Sequence, residues 1–256
     1  MKRVALLLIA VFCLGLAAGA IADEPSAFDI AKRSLERDEG KDKVESVRMV
    51  IVTSSGKTKE RTFVLKKLYD PSGNMQLIRF SEPAKYKNYG FLALQHKGKD
   101  DDRWMFMARQ KKTVRIEAGN QNDAFMQSDM NYYDMSDHEA EDQTHELKGM
   151  AVVDGFECWI ISSVPKDKDV EYSRIESWIR KDNFVAVRMK IYDEKDRLLK
   201  EGTVRKLEQV DGFWVVMELH LANVQKGTST TLIMEEVKHN TGQDASEFTL
   251  QKLENP

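Results

Sequence analysis

The sequence predicts a mainly β protein, a curved antiparallel sheet that closes into a barrel or half-barrel. Three observations carry this. From Val44 almost to the C-terminus the apolar residues recur with the period of two that a strand imposes. Asp154-Gly155 and Asp211-Gly212 are two-residue turn signals of the kind that hairpins prefer. A helical period occurs only near the start, and a single polar interruption, Ala118 to Gly149, breaks the strand pattern.

In chain order, residues 1–22 come first. Met-Lys-Arg, an apolar run from Val4 to Ala18 and the small residues up to Ala22 have the three parts of a secretory signal. The expected cut follows Ala22 and leaves Asp23 as the mature N-terminus, with residues 23–256 as one domain. The run is too short to read as a transmembrane span. Cys13 lies inside it, but Val11-Phe12 before it are not the small pair that lipid attachment needs. A protein exported in this way works where neither ATP nor a nicotinamide pool is available, which removes most enzyme classes.

Ser26 to Asp38 reads as a short helix, with Ser26 as its cap, Phe28, Ile30, Ala31 and Leu35 as its apolar face and Gly40 at its end. The strands are expected at Val44–Thr53, Thr58–Tyr69, Met75–Phe80, Gly90–Gln95, Arg103–Ala108 and Thr113–Glu117. After the interruption they resume at His145–Leu147, Gly155–Val164, Ser173–Arg180, Ala186–Asp193, Leu198–Gln209, Phe213–Val224 and Thr230–His239. With the shortest pieces merged, this is about ten or eleven strands in consecutive hairpins. A sheet of that width curls, because strands twist. Its concave side needs a cover, and the N-terminal helix and Ala118–Gly149 are the segments available. Phe248, Leu250 and Leu253 form an apolar tail able to dock on the sheet.

Composition narrows the function. Loss of Lys2 and Arg3 with the leader moves the net charge from -3 to -5, which argues against a nucleic-acid partner. Cys158 is then the sole cysteine, so no internal disulfide forms, and it reads as a small buried hydrophobe. There is no G-x-S-x-G elbow, H-E-x-x-H helix, Gly-rich phosphate loop or C-x-x-C pair, so no catalytic residue, cofactor or metal is expected. His138 and His145, among Glu139, Glu141, Asp142 and Glu146, are the nearest thing to a metal cluster and read as a solvated acidic loop. An integral outer-membrane barrel is disfavoured by charges such as those of Arg188, Lys190 and Lys206 within the strands.

Some strands are apolar on both faces: Trp104-Met105-Phe106-Met107, Phe213 to Met217 and Leu232-Ile233-Met234. A sheet with one wet face should alternate apolar and polar residues, so something apolar, a helix or a bound ligand, covers the back as well. Met is an adaptable filler suited to varied apolar shapes. The candidate lining of a cavity or its lid is therefore Trp104, Phe106, Met107, Phe125, Met130, Trp178, Trp214, Met217 and Met234.

Asp102-Arg103-Trp104-Met105-Phe106-Met107, followed by Lys111 to Ile116, resembles the central segment of the outer-membrane lipoprotein-sorting proteins of the LolA-like superfamily. Ala124 to Met135 resembles their next segment, with its Ser-Asp, aromatic, Tyr and Asp pattern, although Gln127 stands where the family has Gly before Ser128-Asp129. Val164-Pro165-Lys166, Trp178-Ile179 and Lys190-Ile191-Tyr192-Asp193 also fit. The resemblance implies an incomplete antiparallel β-barrel with a helical lid over a hydrophobic cavity. It implies a periplasmic carrier, a chaperone for the acyl chains of lipids or lipoproteins bound for the outer membrane, monomeric and served by an RND-type exporter or a lipoprotein-releasing complex. The same fold also supports a second expectation, a lipid-sensing or regulatory module that binds a signalling protein. An enzyme acting on lipids is the least favoured of the three.

Overall fold

The computed structural model describes residues 24–255; the expected leader and its cut after Ala22 lie outside the described residues. The first element is α1, Ala27–Leu35, capped as anticipated: the Asp29 amide donates to Ser26 Oγ at 3.1 Å. The helix stops at Glu36, short of Gly40. Ile30 and Ala31 are buried and pack on Trp159, Ile161 and Ile179, while Phe28 stays partly exposed.

Thirteen strands follow, two or three more than expected. The first six are β1 Asp42–Val52, β2 Thr58–Leu68, β3 Met75–Glu82, β4 Gly90–Leu94, β5 Asp102–Met107 and β6 Lys112–Arg115. The other seven are β7 Gln143–Val153, β8 Phe156–Pro165, β9 Tyr172–Arg180, β10 Ala186–Asp193, β11 Leu198–Val210, β12 Phe213–Asn223 and β13 Thr228–His239. A short helix, α2 Leu250–Glu254, follows them.

All thirteen strands form one antiparallel sheet in the order β6-β5-β4-β3-β2-β1-β13-β12-β11-β10-β9-β8-β7. Neighbours in sequence pair as hairpins, and one non-local pairing, β1 with β13, joins the two halves. Both Asp-Gly turns do what their composition dictates: Asp154, Gly155, Asp211 and Gly212 all have positive φ, as a tight two-residue hairpin requires.

The sheet is curved but not closed. Its edges are β6 and β7, and the chain passes from one to the other through residues 116–142; the anticipated cover, Ala118–Gly149, is shorter than expected because Gln143–Gly149 pairs with β8 as part of β7. That crossover is the lid. It contains three single-turn 3-10 helices, Ala118–Asn120, Phe125–Gln127 and Ala140–Asp142, rather than longer helices. A polar segment with few regular helix-forming stretches cannot hydrogen-bond its own backbone fully, so it borrows partners from the sheet.

The two-faced strands have a structural explanation. On β5, Met105 and Met107 point into the large core beneath the lid, with Phe63, Ile78, Phe80 and Phe91. Trp104 and Phe106 point the other way and pack with Leu77, Leu92, Phe248 and Leu253. The C-terminal tail thus covers the back of β3–β5, as the apolar residues at its end suggested.

Candidate functional site

The lid is fastened to the sheet by its own acids, each bonded to different strands. Asp129 accepts from the hydroxyls of Thr228 and Thr230 on β13, the latter at 2.8 Å, and its amide donates to Thr230 Oγ1 at 2.9 Å. Asp134 accepts from Lys200 Nζ on β11 at 2.7 Å and from the Tyr172 hydroxyl on β9 at 3.0 Å. Asp137 accepts from Lys67 Nζ on β2 at 2.5 Å and from Asn74 Nδ2 at 3.0 Å. Burial alone would push the Asp137 carboxyl up; the Lys67 ammonium overcomes that and holds it below the usual range.

The lid's own loop is tight. The Phe125 amide donates to Met130 O at 2.8 Å, and Ser128 Oγ donates to Phe125 O at 2.7 Å. Closing that loop puts Met126 and Gln127 at φ of 50° and 63°, in the left-handed region. Gln127 is the position where the family pattern has Gly, and the conformation shows why Gly suits it. Gln127→Gly is accordingly expected to raise stability by about 0.5–1 kcal/mol, read as a higher urea midpoint at unchanged slope. A lower midpoint would mean that the Gln127 side chain stabilises the turn.

Phe125 and its neighbours fill the space beneath one half of the lid. Beneath the other half lies a hollow of about 270 Å³. Ala31 and Leu35 of α1 form one wall, and Met130, Tyr133, Asp134 and His138 of the lid form the roof. Its floor is Ile175, Ser177 and Ile179 of β9, Met189 and Ile191 of β10, and Leu219 and Leu221 of β12. The i, i+2 spacing on each strand is what puts these side chains on one face. Gly202 of β11 lies in register between Met189 and Leu221, and a Cβ there would stand 2.4 Å from Met189 Cγ. Its lack of a side chain lets Met189 lie across the floor.

Of the nine residues singled out from the sequence, Met130 borders this hollow. Phe125 is wholly buried in the core beneath the lid, with Met107 and Met234 packed against the same core. Trp104 and Phe106 lie under the C-terminal tail. Trp178 and Trp214 each pack against the cluster that contains Cys158, Val185 and Val187. Met217 falls at an irregularity in the β11–β12 register, where the pairing steps from Lys206 with Glu218 to Leu207 with Val216. Sequence reasoning passed over the floor residues because each reads as ordinary strand alternation. The small Ser177 between Ile175 and Ile179, and Gly202 within a long strand, were the signals available.

His138 of the lid and His145 of β7 serve structure. His138 stacks on the Tyr133 ring at 4.1 Å between centroids, its Nε2 lies 3.0 Å from Tyr133 O, and burial lowers its pKa. His145 bridges Ser163 Oγ at 2.8 Å and Ala140 O at 2.9 Å. Glu139 and Asp142 cap the last 3-10 turn reciprocally. Among the described residues no group of three or more His, Cys, Asp or Glu side chains converges as metal ligands would. The same residues include no helix long and apolar enough to cross a membrane. What the arrangement offers chemically is an apolar hollow under a cover held down by polar contacts.

Comparison with known proteins agrees with this geometry. A family model described as an uncharacterized protein matches residues 72–255. A search of curated proteins finds no match. Among solved structures, an outer membrane lipoprotein-sorting protein domain from Vibrio parahaemolyticus superposes with a TM-score of 0.85 at 26% identity, over 89% of this chain and 98% of the other. A DUF1329 family protein from Desulfovibrio piger gives 0.84 at 27%, over 89% and 97%. A LolA superfamily protein from Nitrosomonas europaea, at 16% identity, shares the fold with a TM-score of 0.69 over 90% and 100%. The chain belongs to the family of uncharacterized proteins whose model it matches, and its structural neighbours are outer membrane lipoprotein-sorting and LolA superfamily proteins, whose fold it shares.

Proposed function

We propose that this protein is a periplasmic carrier that shields the acyl chain of a lipid or lipoprotein from water on its way toward the outer membrane. The observation that carries this reading is the apolar hollow roofed by a crossover segment. Exposing a chain of about fourteen methylenes to water costs on the order of 11 kcal/mol, at ~0.8 kcal/mol each. A soluble carrier needs an apolar surface of its own to offset that, together with a cover that yields without an energy source. A cover held by side-chain latches, with few regular backbone ladders, opens more cheaply than a helix bundle would.

The size of the hollow limits the closed form. About 270 Å³ is near the lower end of small-molecule sites, roughly 300–1,000 Å³. It accommodates part of one chain, so larger cargo requires the lid to move. In this reading residues 23–256 act as one monomeric unit after removal of the leader. The cargo comes from an inner-membrane donor, an RND-type exporter or a lipoprotein-releasing complex, and the protein catalyses no reaction on it.

Two measurements test the reading. Native mass spectrometry of protein purified from the periplasm should show a co-purified lipid. Ser177→Phe, which fills the hollow from its floor, should weaken binding of a fluorescent fatty acid at least tenfold at an unchanged melting temperature. Trp104→Ala separates the two placements of the site, because its ring packs against the C-terminal tail and away from the hollow. Loss of binding through Trp104→Ala with none through Ser177→Phe would overturn the assignment.

A further inference from the structure

Beside the hollow lies a second, polar pocket of about 250 Å³. Both are lined by Met130, a flexible side chain, and Asp134 of the hollow accepts hydrogen bonds from Lys200 and Tyr172 of the polar pocket. At the base of the polar pocket is Lys200, 5% exposed. Its Nζ reaches Asp134 Oδ2 at 2.7 Å and the Tyr172 hydroxyl at 2.6 Å. Asn131 Nδ2 donates to the same hydroxyl at 2.9 Å. Lys195 and Lys226 stand on the pocket's rim with Glu171 and Glu194 beside them, and Arg197 is held by Asp193 at 2.7 Å.

The members of this hydrogen-bonded cluster divide between two bodies. Asp134 and Asn131 ride on the lid, whereas Lys200 and Tyr172 belong to the sheet. When the lid shifts to admit an apolar chain, Asp134 goes with it. Lys200 is then a buried ammonium without a counterion, which is strongly unfavourable. A ligand that brings its own anion removes that cost, and a neutral ligand does not. The same exchange would place the anion in the polar pocket and its tail past Met130 into the hollow.

We propose that the polar pocket is a headgroup subsite, in which Lys200 and the Tyr172 hydroxyl take the carboxylate or phosphate of a single-tailed anionic amphiphile in place of Asp134. This rests on the carrier reading and adds the chemical class of the ligand.

The test compares dodecanoic acid with methyl dodecanoate at pH 8, each displacing a neutral fluorescent apolar probe from the full chain. The wild type should bind the acid about tenfold more tightly than the ester, as a charge-assisted hydrogen bond implies. Lys200→Met could fail to fold with Asp134 left unpaired, so the informative protein is the double variant Asp134→Asn with Lys200→Met, in which both charges are gone. Its preference for the acid should vanish, the acid-to-ester affinity ratio falling from about ten to about one. An equal acid-to-ester ratio in both proteins overturns the subsite, as does a wild type with no preference. Acetate displacing the probe as well as the acid does would also overturn it, since that marks a site for free anions with no role for the tail. Failure of both acid and ester to bind any of the proteins is a different result, and it removes the carrier reading itself.

Discussion

Lys200→Ala is expected to lower the stability of the fold by about 3–5 kcal/mol, because it strands a buried carboxylate. Lys200 and Asp134 are both largely enclosed, with side chains 6% and 12% exposed, so water screens the pair poorly. Asp134 keeps its hydrogen bonds from the Tyr172 hydroxyl and the Asn131 amide, and these offset part of its lost counterion. The effect therefore falls toward the lower end of the range. At this chain length each kcal/mol moves the melting temperature by roughly 2–4 °C, so the shift is readily measured. Removing the carboxylate as well, in the double variant Asp134→Asn with Lys200→Met, should recover most of the loss, since the penalty comes from an unpaired charge and not from a missing bond. Lys148→Ala is the reference, because the Lys148–Glu146 pair is 42% and 68% exposed. Its removal should change stability by no more than about 0.5 kcal/mol. A loss below about 1 kcal/mol for Lys200→Ala would show that solvent reaches the pair, and that the lid does not seal the sheet there.

Much of this architecture was legible because its rules are local. The period of two placed nearly every strand within a residue or two of its observed bounds, and the Asp-Gly dipeptides marked both tight hairpins. Ser26 was readable as a cap, and the lid as the one place where the period failed. The pairing of β1 with β13 has no such local signature, since residues nearly two hundred apart in sequence make it. The side of each strand was harder still. Period two identifies which residues share a face without saying which face looks inward, and a single bulge reverses the pattern beyond it. Trp104 and Phe106 were prominent as large aromatic strand residues, and the C-terminal tail covers them. Met217 met a register irregularity. The floor of the hollow is built from Ile175, Ile179, Ile191 and Leu221, residues that any buried strand would carry, so their composition marked nothing. Space is a property of what is missing between side chains, and a sequence shows it weakly, through residues such as Ser177 and Gly202.

Phe125→Ala is expected to cost about 3–5 kcal/mol and to loosen the lid selectively. Phe125 is the lid's peg: it is wholly buried, with ring centroids 6.0 Å from Phe80, 5.5 Å from Phe91 and 5.8 Å from Tyr132. The first two rings belong to β3 and β4, so truncation removes the lid's main apolar anchor on that half of the sheet and leaves the Asp137 latch to Lys67 and Asn74. Hydrogen exchange should then accelerate in residues 118–142 well before it does in β1 and β13, whose paired strands lie at the centre of the sheet. The peg also sets the turn beside it. Met126 and Gln127 hold left-handed conformations next to the seated ring, in a loop closed by the Phe125 amide. Once the ring is gone the turn is free to relax, and the benefit of glycine at position 127 should shrink. The two substitutions are therefore expected to couple: the stabilisation by Gln127→Gly in the Phe125→Ala background should fall by at least 0.5 kcal/mol relative to the wild type. Strict additivity would show that the turn keeps its shape without the peg, and that the lid's strain and its anchorage are independent.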